Sequence, residues 1–239
     1  MVFSTWLGLN TASRGLAAAQ RGLDTASHNI ANANTPGYSR QRANLVASPA
    51  LHHPSLSALI PGQVGTGVDV ASISRIRDTF LDQVYRRQHG QYGEFNSQRL
   101  SFSTLETVLH EPSEIGVSSL MDRFFQDWNA VANTPEALPT RGALRETAQT
   151  MASNFHRLHG QFVALSEQQN EQIALRVEQV NGILDQIAAL NGQIVAIEGI
   201  GQQANDLKDR RDLLVDQLSG IVDVTVQEGG QGSADVLLG

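Results

Sequence analysis

Between residues 141 and 198 the chain keeps a three-four apolar rhythm, and that rhythm dictates most of what it can become. Leu144, Ala148, Met151, Phe155, Leu158, Phe162 and Leu165 set it without error. It slips across Gln168, Gln169 and Gln172, then resumes at Ile173, Val177, Val180, Leu184, Ile187, Asn191 and Ile194. With a rise of about 1.5 Å per residue, one helix of that extent is on the order of 85 Å long. A compact globule of 239 residues has no use for such a length, whereas a rod does. The expected fold is therefore mainly α, an elongated helical bundle or coiled coil with a small β element near the end.

Composition agrees with many thin helix seams rather than one thick core. Hydrophobic residues make up 41% of the chain but aromatics only 5%. A net charge of -7 argues against a general nucleic-acid binder, which needs a concentrated basic surface. Lys208 is the only lysine, so nearly all positive charge is arginine. Two readings of that bias stand side by side: guanidinium forks suit carboxylate and carbonyl contacts between subunits, and base composition gives the same result. With no cysteine there is no thiolate nucleophile, thiolate metal site or disulfide. No run is apolar enough to span a bilayer, and the amino terminus does not read as a cleavable secretion signal.

A second periodic stripe opens the chain. Leu9, Ala12, Leu16, Ala19, Leu23, Ala26 and Ile30 alternate by three and four, which predicts a helix over roughly 4–31. Nearly half of that stripe is alanine, and glycine lies at its margins. Such a helix lets another come close but buries too little surface to stand firmly alone. It reads as an assembly element, and it is expected to be poorly ordered in an isolated subunit. Pro36 and Gly37 stop it, and Asn29, Asn32 and Asn34 crowd the exit, where short amides bond freed backbone groups. Tyr38, Ser39, Arg40, Gln41 and Arg42 follow at once.

The rest of the chain divides at its breakers. Residues 43–72 read as irregular with short extended segments, the uncharged stretch 49–62 with its three prolines as a loop. A helix is expected over 74–110, its apolar side carrying Ile76, Phe80, Val84, Tyr92, Phe95, Phe102, Leu105 and Leu109; Gly90 and Gly93 are possible bends, and Pro112 closes it. A shorter helix is expected over 115–132 with Val117, Leu120, Phe124, Trp128 and Val131 on one side, and another over 203–219. Val222, Val224 and Val226 alternate as a strand, residues 228–232 turn, and Val236, Leu237 and Leu238 begin a return strand. A return strand at the very edge of the sequence makes a fragment of something longer the expectation. The divisions are thus 1–42 as an inner helix and connector, 43–72 as loop and short strands, 73–219 as the elongated bundle, and 220–239 as the start of a β-containing outer domain.

Reactive groups do not converge anywhere. His52 and His53 are adjacent in the proline-containing loop. His156 and His159 lie three apart but lack an HExxH-type partner, which makes them solvent-facing residues. Asp206, Asp209 and Asp212 beside Arg210 and Arg211 could be read as acid and base. Ion pairing within and between elements is the plainer account. Ser39 has no nameable base, and the glycine pattern of residues 62–67 lacks the terminal GK[ST] of a phosphate loop. No catalytic residue, cofactor site or metal site is expected.

Asn29-Ile30-Ala31-Asn32-Ala33-Asn34-Thr35-Pro36-Gly37-Tyr38-Ser39 is similar to the signature near the amino terminus of bacterial flagellar rod, hook and hook-associated proteins. Its continuation through Arg40, Gln41 and Arg42 resembles the hook-associated protein 1 (FlgK) family. So do Gly65–Gln83, Phe124–Arg145 and Ala204–Gln217, in the same order along the chain. The resemblance implies the fold of flagellar axial proteins and a non-enzymatic adaptor between hook and filament. It implies export unfolded through the flagellar type III route without signal cleavage, to a place outside the cell. The implied partners are copies of itself, the hook protein, hook-associated protein 3 and the export machinery, with no nucleic acid and no membrane. Leu9, Leu16, Leu23 and Ile30 would pack in an inner layer, with Ala12, Ala19 and Ala26 allowing close approach. Asn29, Asn32, Asn34, Pro36, Gly37, Tyr38, Arg40 and Arg42 would bridge to the next layer. A hook or distal-rod protein shares the asparagine word but lacks the long rhythm. A secreted coiled-coil adhesin or effector shares the rhythm but lacks the word.

Overall fold

The computed structural model describes residues 5–50, 63–109, 113 and 116–239. Five helices and two hairpins account for most of them: α1 (Thr5–Ala31), β1 (Gln41–Ala47), β2 (Val68–Arg75), α2 (Thr79–Leu109), α3 (Val117–Asn133), α4 (Leu138–Glu198), α5 (Asn205–Ser219), β3 (Val224–Glu228) and β4 (Ala234–Leu238). The chain is mainly helical with small antiparallel β elements, as its periodicity implies. It forms two compact units, residues 1–89 with 183–239, and residues 90–182. The proline-containing loop at 51–62, with His52 and His53, and the expected stop at Pro112 lie outside the described residues.

In the first unit, α4 and α5 supply the core. Ile183, Ile187 and Ile194 of α4 are buried with Val215 and Leu218 of α5, Ala204 and Ala234. Burying each such large side chain stabilises the fold by roughly 1.5–3 kcal/mol. The α4–α5 reversal is held by Lys208, whose Nζ lies 2.6 Å from Glu198 Oε1. Asn191 occupies a rhythm position of α4 but does not break it. Its Nδ2 donates to Ala234 O at 2.7 Å and its Oδ1 accepts from Ala234 N at 3.2 Å, so the amide fastens β4 to the helix. Val224 and Val226 of β3 turn inward while Thr225 and Gln227 face solvent, the alternation expected of a half-covered strand.

β1 and β2 form an antiparallel hairpin running from Gln41↔Arg75 to Ala47↔Val68, with a bulge between Asn44 and Leu45. That ladder alters one expectation. The helix over 74–110 begins instead at Thr79. Residues 74 and 75 are held as strand by their pairing with β1, and Ile76 N donates to Arg40 O at 2.8 Å. Asp78 then starts the helix, its Oδ1 accepting from Phe80 N at 2.9 Å and Leu81 N at 3.3 Å.

The orientation of α2 also departs from its apolar pattern. Ile76, Phe80 and Val84 are exposed, as are Tyr92, Phe95 and Phe102, whereas Arg86 is buried. The charged face turns inward because α5 presents acceptors there: Asp209, Asp212 and Asp216, spaced by three and four, occupy one side of that helix.

In the second unit α3 keeps Val117, Leu120, Phe124 and Val131 half-buried as expected, but Trp128 of the same expected side is exposed. Val117 and Leu120 line a small gap with Met151 and Phe155 of α4. Thr147 Oγ1 donates to Asp127 Oδ2 at 2.5 Å. α4 is continuous over 61 residues, so the slip at Gln168–Gln172 changes the face and not the helix.

Candidate functional site

The end of α1 and the segment that follows are fixed by one asparagine. Asn29 Oδ1 accepts from Tyr38 Oη at 2.8 Å and from Gln41 N at 2.8 Å, and its Nδ2 donates to Gln41 O at 2.9 Å. A helix side chain thereby takes the place of a third strand beside the start of β1. Asn32 Nδ2 donates back to His28 O at 3.1 Å, and Thr35 Oγ1 donates to Asn32 Oδ1 at 3.2 Å. The reversal is a turn over Thr35-Pro36-Gly37-Tyr38, closed by Tyr38 N to Thr35 O at 3.2 Å. Gly37 has φ of +78°, the left-handed position that such a turn demands. A Cβ there would also meet Leu213 Cβ at 2.9 Å. Gly37→Ala is expected to cost about 1–3 kcal/mol through strain and overpacking, read as a lowered urea midpoint. An unchanged midpoint would show that the turn is not rigidly seated on α5.

From this turn the polar network runs into α5. Ser39 N donates to Asp209 Oδ2 at 2.9 Å, Gln41 Nε2 to Asp206 Oδ1 at 2.8 Å, and Asn205 Nδ2 to Ile73 O at 2.7 Å. Arg75 NH1 joins Asp209 at 2.8 Å and Asp212 at 2.7 Å, with all three side chains mostly buried. Arg77 reaches Asp82 at 2.6 Å and Asp216 at 3.5 Å; Arg86 reaches Asp216 at 2.7 Å. Burial opposes the charge on Arg77, but Asp82, Asp212 and Asp216 outweigh it and raise its pKa. Burial lowers the pKa of Arg211, with Arg75 adding a like-charge penalty against the favourable Asp212. Arg211 NH1 donates to Gly232 O at 2.7 Å and Asn191 Oδ1 at 3.1 Å, tying the second hairpin to the same cluster. The phenol of Tyr38 is pushed above its usual pKa by burial and by Asp206 and Asp209.

The three aspartates therefore pair between elements, as the plainer reading held. Asp209 and Asp212 pair with the distant Arg75, Asp212 lies 3.7 Å from Arg77, and Asp216 joins as a further acid, whereas Asp206 is exposed, with Gln41 as its hydrogen-bond donor and His28 3.7 Å away. Arg210 is exposed, and Arg211 lies 3.6 Å from Asp212. The neighbours in sequence were the wrong place to look for most of the pairs. The three-four spacing of Asp209, Asp212 and Asp216 was the usable signal.

The apolar stripe of α1 stands apart from all of this. Leu9, Leu16, Leu23 and Ile30 are 61%, 71%, 70% and 77% exposed, and Ala12, Ala19 and Ala26 are exposed beside them. The hairpin meets the opposite face, where Ala18 is buried. Of the connector residues, Asn29, Asn32 and Tyr38 use their polar atoms inside the chain. Asn34, Pro36 and Arg40 are exposed, and Arg42 Nε bonds Asn44 Oδ1 at 3.2 Å. Among the described residues no cluster of histidine, aspartate or glutamate could hold a metal ion, and no helix is long and apolar enough to cross a membrane. His156 and His159 are exposed.

Comparison with known proteins adds sequence kinship to this geometry. Residues 102–239 match the family model described as the flagellar hook-associated protein FlgK helical domain. Residues 9–38 match the model of the flagella basal body rod protein. Flagellar hook-associated protein 1 of Bacillus subtilis is 36% identical over 230 residues, covering 96% of this chain and 45% of that protein. Its counterpart from Salmonella typhimurium is 33% identical over 226 residues, covering 93% of this chain and 40% of that protein. The solved flagellar hook junction protein FlgK from Burkholderia pseudomallei shares 27% identity and a TM-score of 0.49 over 66% of this chain and 27% of that one. The chain thus spans less than half the length of these relatives.

Proposed function

Because the chain belongs to the flagellar hook-associated protein 1 (FlgK) family, we propose that it is part of a non-catalytic adaptor subunit that joins hook to filament by helical self-assembly. The exposed leucine ridge of α1 carries this reading. Four large apolar residues spaced by seven face solvent, on a helix whose other face is anchored to its own hairpin. A contiguous apolar row of that kind marks a surface made for another helix. Ala12, Ala19 and Ala26 set the close approach. The inner layer is residues 1–42, the bundle 73–219, and the segment 220–239 opens an outer domain. Arg40 and Asn34, exposed beyond the anchored amides, supply polar contacts to neighbouring subunits. The neighbours are copies of itself, the hook protein on one side and hook-associated protein 3 on the other. The subunit reaches them outside the cell through the flagellar export machinery, as an unfolded chain that keeps its amino terminus.

Leu16→Arg combined with Leu23→Arg, introduced into the full-length gene of a flagellated cell, tests the reading. Both positions are exposed, so the secreted subunit is expected to keep its circular dichroism and urea midpoint. Hooks without filaments are the expected phenotype. Normal filaments on cells carrying the double variant would refute it. The match of residues 9–38 to a rod-protein model favours a second reading as a rod or hook subunit. Gold labelling separates the two: the adaptor sits at the distal end of the hook, whereas a rod or hook subunit labels elsewhere.

A further inference from the structure

The polar network around α5 encloses a cleft as well as a set of ion pairs. This cleft of about 380 Å³ lies wholly within the first unit, between β2, α2, α5 and β3. Arg75, Arg77, Arg86, Lys208 and Arg211 all line it. Charge is balanced there: Arg75, Arg77, Arg86 and Arg211 face Asp82, Asp209, Asp212 and Asp216, and Lys208 faces Glu198. Hydrogen bonding is not balanced. Asp209 and Asp212 both take the same nitrogen of Arg75, NH1, so its Nε and NH2 have no partner among the described residues. Arg86 Nε donates to Asp216 at 2.7 Å, but its NH2 stands 4.0 Å from Asp212, too far for a hydrogen bond. Arg211 NH2 is likewise 3.6 Å from Asp212, and its Nε is buried without an acceptor among the described residues. A guanidinium carries five N–H donors in a fixed fork, and these three keep more donors than the aspartates take up.

The acids on the walls do not close the cleft to an anion. Arg77 engages Asp82 at 2.6 Å and Arg75 engages Asp212 at 2.7 Å, while Glu228 is exposed. The side chains of Arg75, Arg86 and Arg211 are only 15%, 8% and 6% exposed, so salt screens them weakly. Burial and the neighbouring Arg75 disfavour the charge on Arg211, a penalty that a nearby anion offsets.

We propose that this cleft binds one tetrahedral oxyanion, phosphate or sulfate, between the unused guanidinium edges of Arg75, Arg86 and Arg211. Such an ion offers several acceptor oxygens at once, which suits forks arriving from different elements. A planar carboxylate fills one fork and leaves the others open. The bound ion bridges β2, α2 and α5, and so braces the body on which the connector is seated. The site does not depend on the assembly reading.

Hydrogen exchange of the 239-residue chain in urea tests it, with residues 90–182 as the internal control. For a dissociation constant of about 5 mM, about 50 mM phosphate should raise protection of α5 amides about ten-fold over sodium chloride of equal ionic strength. Sulfate should match it, and acetate should fall well short. Arg86→Lys keeps a charge for Asp216 but removes the fork, and should abolish the rise. Gln83→Trp, at an exposed position lining the cleft, should abolish it without touching an ion pair. Glu228→Gln should enlarge it by removing a repelling charge. Line broadening of inorganic phosphate in phosphorus NMR, present with the unmodified chain and absent with Gln83→Trp, gives a readout independent of stability. An equal rise across residues 90–182 would overturn the proposal, because exclusion of salt acts on the whole surface. So would equal effects of phosphate and chloride, an acetate effect as large as that of phosphate, or a full rise in either Arg86→Lys or Gln83→Trp.

Discussion

Asp209→Ala is expected to destabilise the first unit by about 3–5 kcal/mol, the usual result of removing one partner from a buried ion pair. Asp209 accepts from Arg75 through one oxygen and from the backbone of Ser39 through the other, and it is itself buried. The alanine variant leaves Ser39 N–H without its acceptor and Arg75 with Asp212 alone. Both penalties fall on the segment that ties α1 to the body of the subunit. Hydrogen exchange across α5 in urea reports this unit without interference from residues 90–182. A second variant, Asp209→Leu with Arg75→Met, removes both charges and should recover part of the loss. A cost below about 1 kcal/mol for the single change would mean that water reaches the network and screens it.

The second large effect is a contrast between two equally periodic residues. Ile194→Ala should cost about 2–5 kcal/mol, because a fully buried side chain leaves a cavity as well as losing its transfer energy. Ile194 is 0% exposed. Leu16→Ala, in a stripe with the same spacing, should change monomer stability by no more than about 0.5 kcal/mol. Urea unfolding of each variant measures the difference. A loss of several kcal/mol for Leu16→Ala would place the ridge inside the subunit and remove the case for an outward-facing assembly surface.

That contrast marks how far the residues could be read without coordinates. Periodicity located α1, α3, α4 and α5 well, because a three-four rhythm is a property of the helix alone. It did not say which stripes are covered. The row through Phe80 and Val84 looks like a core face, yet these residues are exposed while Arg86 is buried. The cause is the row of aspartates on α5, whose partners lie about 130 positions away in sequence, beyond the reach of any local pattern. The start of α2 was displaced for a similar reason, since strand pairing is a long-range term that outweighs the propensity of residues 74–78. At the connector the pattern was more informative. Pro36 and Gly37 stand in the turn their chemistry requires, and of the crowded asparagines Asn32 bonds a freed backbone group, the carbonyl of His28. Only the geometry showed that Asn29 holds the start of β1.

Asn29 on Gln41 and Asn191 on Ala234 share one arrangement, a side-chain amide matched to both the N–H and the C=O of one strand residue. Asn205 does half the same job on Ile73. Each amide blunts a place where a stray strand would otherwise add on. Under the assembly reading, in which the chain packs against copies of itself, this matters before assembly begins. On that reading it leaves helices as the adhesive surfaces and makes stray strand addition at these residues less favourable.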